Sequence, residues 1–439
     1  MRIYCTCLLF YFSFSLGLQG QIPSMDNLDI KEFTFFYKDS IKNEVTFGNY
    51  EPTGILSTND NSLIVSTQFS ISFPNQYKMP DQHKIVASEA YTKEYFEEQK
   101  IYRQKSHVSS GSIFKLNSQR KKIWETFFKE KRVVRIKLLS DSTILAVGED
   151  VSMNLFWMAK LDQEGQILFE KQYKFKRQPN IENIETDSLN NVYLLLSTER
   201  LNLISVSKIY GKRKIHFFKE TENESDLYLV KISSKGRMVW KKAIDNRKNY
   251  MTYGYDLLLK KNIYITSRYE GFEKLKGVEN IDEGRMLYKL DRNGNIIDKS
   301  QIDNKRLLLI DNQLYLTTFE HEDSLVLYKH SKSLDYLPFR TILLKDMKKI
   351  WIQKALSGKE FNYIVGTHHH NLGCLLIELN KQSQAIGYWK NSENNLPSFV
   401  DAILTRDNSV IIVAREYSKP NKEMNKSVNS VKIYEIEKD

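Results

Sequence analysis

Eight histidines are the side chains of this sequence best suited to hold a metal or an anion. Seven of them, His83, His107, His216, His321, His368, His369 and His370, fall in or beside segments that separate apolar runs, while His330 sits in a short turn. In an extended backbone alternate side chains share a face, so His368 and His370 would point one way and His369 the other. A zinc-type site needs three or four His, Cys or carboxylate ligands at suitable spacing, and neither a C-x-x-C pair nor a carboxylate–histidine cluster accompanies these residues. The expectation is no bound metal and no cofactor, with His216, His321, His368 and His370 as binding residues. A second candidate group is aromatic. Phe73, Tyr77, Tyr91, Tyr95, Phe96 and Tyr102 crowd one charged stretch, and tyrosine is enriched in recognition surfaces; Tyr91, Tyr95 and Tyr102 are taken from it. Asp291-Arg292-Asn293-Gly294 matches the middle of a calcium loop, but Lys289 would stand at the first ligand position and Ser300 at the closing Glu position, so it reads better as a hairpin turn. No Ser-His-Asp order, paired-acid constellation or Gly-rich phosphate loop can be placed, and the catalytic residues are unknown.

These residues hang on a repeated hairpin. Lys115-Leu116-Asn117 leads to Trp124, Lys160-Leu161-Asp162 to Phe169, Lys231-Ile232-Ser233 to Trp240 and Lys289-Leu290-Asp291 to Asp298. In the last three a Gly (Gly165, Gly236, Gly294) closes an Asp-x-x-Gly or Ser-x-x-Gly turn, where the polar side chain bonds nearby amides and the Gly takes positive φ. Weaker copies follow at Lys329-His330, Glu378-Leu379 and Glu435-Ile436. Upstream of each copy lies a second pair of strand-like segments, from Gly54 to Thr67 through Phe399 to Glu416. Seven units of two hairpins predict an all-β fold, a β-propeller of seven four-stranded blades. The last unit ends at Asp439 without a fourth strand, and Phe33 to Phe47 is expected to supply it and close the ring. Trp124 and Trp240 occupy equivalent positions and are expected to pack between blades. Insertions at Ile71 to Ser110, Glu199 to Ser225, Tyr269 to Glu283 and Lys419 to Ser427 fall between second and third strands, so they emerge on one rim, the expected working face.

Residues 1–20 read as a secretory signal peptide, with Arg2 before an apolar stretch from Ile3 to Leu18. The remainder, 21–439, reads as one propeller domain that is exported, to the periplasm, the cell surface or the medium. Cys5 and Cys7 lie in the leader, which leaves Cys374 alone and no internal disulfide to stabilise the fold. No later segment is long and apolar enough to span a bilayer. The net charge is +11, yet basic residues are interleaved with acidic ones, as in Lys212-Arg213-Lys214 followed by Glu220, Glu222 and Glu224. Scattered lysines suit solvated strand edges, and nucleic acid is not expected as a partner.

Asn191-Val-Tyr-Leu-Leu-Leu, Asp226-Leu-Tyr-Leu-Val-Lys-Ile and Gly236-Arg-Met-Val-Trp240 resemble the repeat of secreted bacterial seven-bladed propellers and, more loosely, quinoprotein-type propellers. The resemblance spans most of the mature chain and implies the fold alone, because the shared residues are turn and core positions. The catalytic acid, metal ligands and clamping disulfide of the quinone enzymes are not found here. The leading functional expectation is a non-enzymatic exported propeller that binds a protein or polysaccharide at the cell surface through its long-loop face. Two alternatives stand beside it: a glycan-acting hydrolase or lyase with acids at the central mouth, and a structural component of a cell-surface assembly.

Overall fold

The computed structural model describes residues 25, 28–35, 48–72, 85–87, 90–91, 107–150, 155–210, 213–246, 250–275, 278–302, 305–321, 324–330, 336–344, 350–368, 372–391, 397–417 and 429–437. From the N-terminus, β1 (Asp29–Phe35) is followed by β2 (Gly48–Ser57), β3 (Leu63–Ser72), the short β4 (Ile85–Ala87) and β5 (Ala90–Tyr91), β6 (His107–Leu116) and β7 (Lys122–Phe128). Then come β8 (Arg132–Leu138), β9 (Ile144–Asp150), β10 (Leu155–Leu161), β11 (Ile167–Lys174), β12 (Pro179–Thr186), β13 (Val192–Tyr210), β14 (Arg213–Ile232) and β15 (Met238–Asp245). The remainder is β16 (Tyr250–Leu259), β17 (Ile263–Leu275), β18 (Val278–Leu290), β19 (Ile296–Ile302), β20 (Arg306–Ile310), β21 (Gln313–His321), β22 (Ser324–His330), β23 (Tyr336–Leu343), β24 (Trp351–Ser357), β25 (Asn362–His368), β26 (Leu372–Leu379), β27 (Ala385–Lys390), β28 (Ser398–Leu404), β29 (Val410–Tyr417) and β30 (Asn429–Glu437).

They pair as seven antiparallel sheets: β2-β3-β6-β7 (sheet 1), β8 to β11 (sheet 2), β12 to β15 (sheet 3), β16 to β19 (sheet 4), β20 to β23 (sheet 5), β24 to β27 (sheet 6) and β28-β29-β30-β1 (sheet 7). This is a seven-bladed β-propeller, in which the N-terminal strand completes the last blade. The closing strand begins earlier than Phe33: β1 pairs with β30 from Asp29 opposite Glu437 to Phe35 opposite Val431, and residues 36–47 lie outside the described residues. Lys31 Nζ reaches Glu437 at 2.6 Å and Lys432 Nζ reaches Glu32 at 3.0 Å, ion pairs that fix its register.

The third and fourth insertions differ from expectation. They are not irregular loops but continuations of the central hairpins: β13 and β14 stay paired out to Tyr210 opposite Arg213, and β17 and β18 to Leu275 opposite Val278. Both stretches carry on the cross-strand ladder of their hairpins, with one register shift between Arg200 and Asn202 in the first, so many of their main-chain groups stay paired in a long excursion from a sheet. A piece of the first insertion adds to the same sheet, with Tyr91 of β5 opposite Phe218 of β14.

The chain divides into two compact units, one holding 29–304 with 400–438 (sheets 1 to 4 and most of sheet 7), the other holding 305–399 with the segment that carries Met25 (sheets 5 and 6). In the first unit each core is shared by adjacent sheets. Ile64, Ile113, Val133 and Trp157 join sheets 1 and 2, Phe156, Met158, Leu194 and Val230 join 2 and 3, and Tyr193, Leu195, Leu257 and Ile265 join 3 and 4. In the second unit Leu325, Leu327, Ile364 and Leu375 join sheets 5 and 6.

Outer turns lock this packing. Asp162 Oδ1 accepts bonds from the amides of Glu164 (3.1 Å) and Gln166 (2.7 Å), and Gly165 takes φ +81°. A Cβ on Gly165 would lie 2.6 Å from the Trp124 ring of sheet 1, and one on Gly294 would lie 2.9 Å from the Trp240 ring of sheet 3. Trp124 Nε1 also donates to Gln163 O at 2.9 Å. The turn glycine is therefore demanded twice, by its φ and by the neighbour's indole, and both tryptophans pack between sheets as the repeat predicts.

Short turns repeat one more device, a carboxylate accepting from the turn's own hydroxyls and amides. The Thr58 hydroxyl holds the Asp60 carboxyl well below its ordinary value, Thr405 does the same for Asp407, and the Asn295 amide does so for Asp291. Asp141 is drawn down to about 2: burial opposes the charge, and bonds from Lys160 and Thr143 outweigh it. Because folding lowers these pKa values, their stabilisation is fully present above the unfolded value near 3.8 and is lost as pH falls through the folded values. The melting temperature is expected to be insensitive to these groups above about pH 5 and to fall steeply below about pH 4. An Asp60→Asn, Asp407→Asn double variant should flatten that acid limb, which thermal denaturation against pH will show.

Candidate functional site

Several first strands carry a β-bulge, an extra residue that leaves main-chain groups unpaired. It falls between Pro52 and Gly54 in β2, Val133 and Arg135 in β8, Ile181 and Asn183 in β12, and Gly254 and Asp256 in β16. Neighbouring sheets bond the main chain at or beside these bulges. Asp401 Oδ2 accepts from the Ile55 amide at 3.2 Å, Glu149 Oε1 from the Ile181 amide at 2.7 Å, Arg135 donates to Glu182 O at 3.1 Å and Asn183 Nδ2 to Tyr255 O at 3.1 Å.

In sheet 4 the bulged residue is Tyr255, and it stands beside a cluster of charged side chains. Thr252 and Gly254 face sheet 3: Ser225 Oγ bonds the main chain of Thr252, and a Cβ on Gly254 would meet Leu195 at 2.4 Å. The alternate residues therefore lie on the other face. There Tyr253 stands opposite Arg268, and Arg268 directly opposite Arg285. One step toward the insertion, Glu270 stands opposite Glu283. Arg268 bridges both carboxylates, at 2.5 Å to Glu270 and 2.9 Å to Glu283. The Arg285 guanidinium lies 4.9 Å from the Tyr255 ring centre and is only 6% exposed. Burial opposes the Arg268 charge, but bonds to Glu283 and Tyr255 outweigh it and raise its pKa above the ordinary arginine value. Two guanidiniums converge on one tyrosine, a donor array fit for an oxyanion.

First-strand carboxylates are the groups an acid–base mechanism would need, and in this unit they are engaged structurally. Glu51 accepts from Arg415 (2.9 Å) and Gln68 (3.1 Å), Glu182 from Ser197 (2.5 Å), Glu185 from Lys137 (2.9 Å) and Asp256 from Thr266 (2.6 Å). Among the described residues no group of three or more His, Cys, Asp or Glu side chains could hold a metal ion, and no helix is long and apolar enough to cross a membrane.

Of the residues singled out in sequence, Tyr91 and His216 fall in one sheet, Tyr91 of β5 standing opposite Phe218 of β14, two residues from His216. His368 ends β25, 4% exposed, with Nε2 3.3 Å from Asn391 Oδ1, an oxygen that also accepts the Cys374 amide at 2.6 Å. His216 stands opposite Ser207 in the β13–β14 hairpin, His321 opposite Ser324, and Tyr91 in β5. Tyr95, Tyr102 and His370 lie outside the described residues. Sequence reasoning missed Arg268, Arg285, Tyr253 and Tyr255. Two signals were available: the Tyr253-Gly254-Tyr255 step, where Gly marks a bulge, and Arg285 set as a lone cation before Met286-Leu287-Tyr288.

No protein-family model matches the chain, and no curated protein does. Solved structures similar to it include the Dos1 propeller (10% identity, covering 93% of this chain and 95% of that one, TM-score 0.46). Others are the Synechocystis apocarotenoid oxygenase, as its Glu150Asp mutant (10%, 84% and 95%, TM-score 0.41), and an ACO/RPE65 chimera (9%, 84% and 95%, TM-score 0.41). These are likenesses of fold alone. They nevertheless correct one expectation: an oxygenase stands among the similar structures, so a propeller without a recognisable catalytic motif does not make this a non-enzymatic protein.

Replacing Tyr255 by Leu removes the ring beneath a buried guanidinium and the hydroxyl that Arg268 uses. A loss of about 1–2 kcal/mol in unfolding free energy is expected, measured by denaturant titration, whereas Tyr255→Phe should retain the ring term and lose less.

Proposed function

We propose that the protein is exported and recognises an anionic ligand, one bearing carboxylate, sulfate or phosphate groups, at the insertion end of sheet 4, with Arg268 and Arg285 as the recognising side chains. The observation that carries this reading is their placement directly opposite each other on neighbouring strands, one of them 6% exposed. Like charges in that position oppose folding by up to about 1 kcal/mol, and an oxyanion between the two forks would turn that cost into affinity. The existing counter-charge is exchangeable. Glu283 is 56% exposed in its side chain, and an ion pair so placed contributes about 0–1 kcal/mol. A ligand oxyanion can take its place on Arg268 while Glu270 stays. Tyr253 and Tyr255 flank the pair, and the Tyr255 ring and hydroxyl hold the two guanidiniums in place. The apolar leader from Ile3 to Leu18 supports export, and the net charge of +11 favours encounter with an anion. Recognition at this site is compatible with chemistry on the bound ligand.

The test is thermal unfolding in citrate, sulfate or phosphate against chloride at matched ionic strength. A ligand present at one hundred times its Kd stabilises by about 2.7 kcal/mol, so the unprocessed wild-type signal should be a rise of several degrees with at least one anion. Arg268→Gln should abolish the rise, and Lys235→Gln, in a remote exposed turn, should leave it intact. Equal rises in wild type and Arg268→Gln would refute the site.

A further inference from the structure

Sheet 6 has a glycine at one outer-strand position where every other sheet has a side chain, Asp298 in sheet 4, Leu337 in sheet 5 and Lys31 in sheet 7 among them. The strand pairing makes the residues opposite Lys115, Lys160, Lys231 and Glu378 equivalent, and these are Trp124, Phe169, Trp240 and Gly387. Where sheets 1 to 3 place a large aromatic on the outermost strand, sheet 6 places no side chain at all. The vacated ground is occupied from elsewhere in the chain. A Cβ on Gly387 would lie 2.6 Å from Cγ and 2.9 Å from Sδ of Met25, and the Met25 amide donates to Tyr388 O at 2.8 Å.

From this geometry we infer that Met25 is a strap: it seats on Gly387 as a side chain supplied from a distant part of the sequence, and its amide caps an acceptor on the edge of β27. Methionine suits the role because its unbranched thioether follows an irregular surface, and Gly387 is required because any side chain there would occupy the seat. The strap also constrains processing. Removal of a leader after Gly20 leaves Met25 in place, whereas trimming at or beyond Met25 would uncover β27 and expose an unpaired strand edge.

Hydrogen exchange and limited proteolysis of the chain beginning at Gln21 test the strap. The Met25 amide should exchange at least tenfold more slowly than an unstructured amide, and protease should cut beside Met25 slowly. Met25→Ala and Gly387→Ala should each raise that cleavage rate about tenfold, while Met25→Leu, which keeps the apolar contact, should stay near the wild-type rate. Gly387→Ala could disturb β27 itself, so Met25→Ala, which leaves the sheet untouched, is the deciding variant. An unprotected Met25 amide in the wild-type protein, or cleavage unchanged by Met25→Ala, would overturn the inference.

Discussion

The bulge in the first strand of a sheet is the constraint on which the rest of the structure turns. One extra residue breaks the ladder and leaves main-chain donors and acceptors that the sheet cannot satisfy internally. A neighbouring sheet bonds the strand at or beside the bulge, through Asp401 to the Ile55 amide, Glu149 to the Ile181 amide and Asn183 to the Tyr255 carbonyl. Among the described residues the one cysteine, Cys374, is free, and sheet-to-sheet cohesion rests on these bonds and on the shared apolar cores. The polar bonds add direction to a hydrophobic attraction that has none.

That same device builds the candidate site. In sheet 4 the bulge that offers the Tyr255 carbonyl to Asn183 also turns the Tyr255 side chain beside Arg268 and Arg285. Sheet docking and site assembly are thus one event. The arginines themselves stand on paired strands of a rigid ladder, so their spacing is set by backbone hydrogen bonds rather than by a loop.

How much of this the sequence discloses follows from the range of each interaction. Asp162-x-x-Gly165 and Asp291-x-x-Gly294 are legible because the turn's geometry is written in four adjacent residues, and the missing fourth strand after Glu435-Ile436 is legible by counting. The start of the closing strand at Asp29 is not legible, because the residues on either side of Phe33 look equally strand-like and only pairing with β30 reveals it. The insertions at Glu199 to Ser225 and Tyr269 to Glu283 read as loops, since their polar residues mask an alternation that pairing makes plain. Arg268 and Arg285 become a pair only through strand register, which no local pattern encodes. The histidines drew notice by chemistry alone, and His368 proves to be a buried partner of Asn391.

The most direct measurement is a crystal structure of the wild-type protein grown with selenate, whose selenium gives an anomalous signal. The account predicts an anomalous peak within hydrogen-bonding distance of the Arg268 guanidinium, with Glu283 displaced from it. Well-ordered density in which Arg268 still bridges Glu270 and Glu283, with no selenium beside it at saturating selenate, would contradict the account.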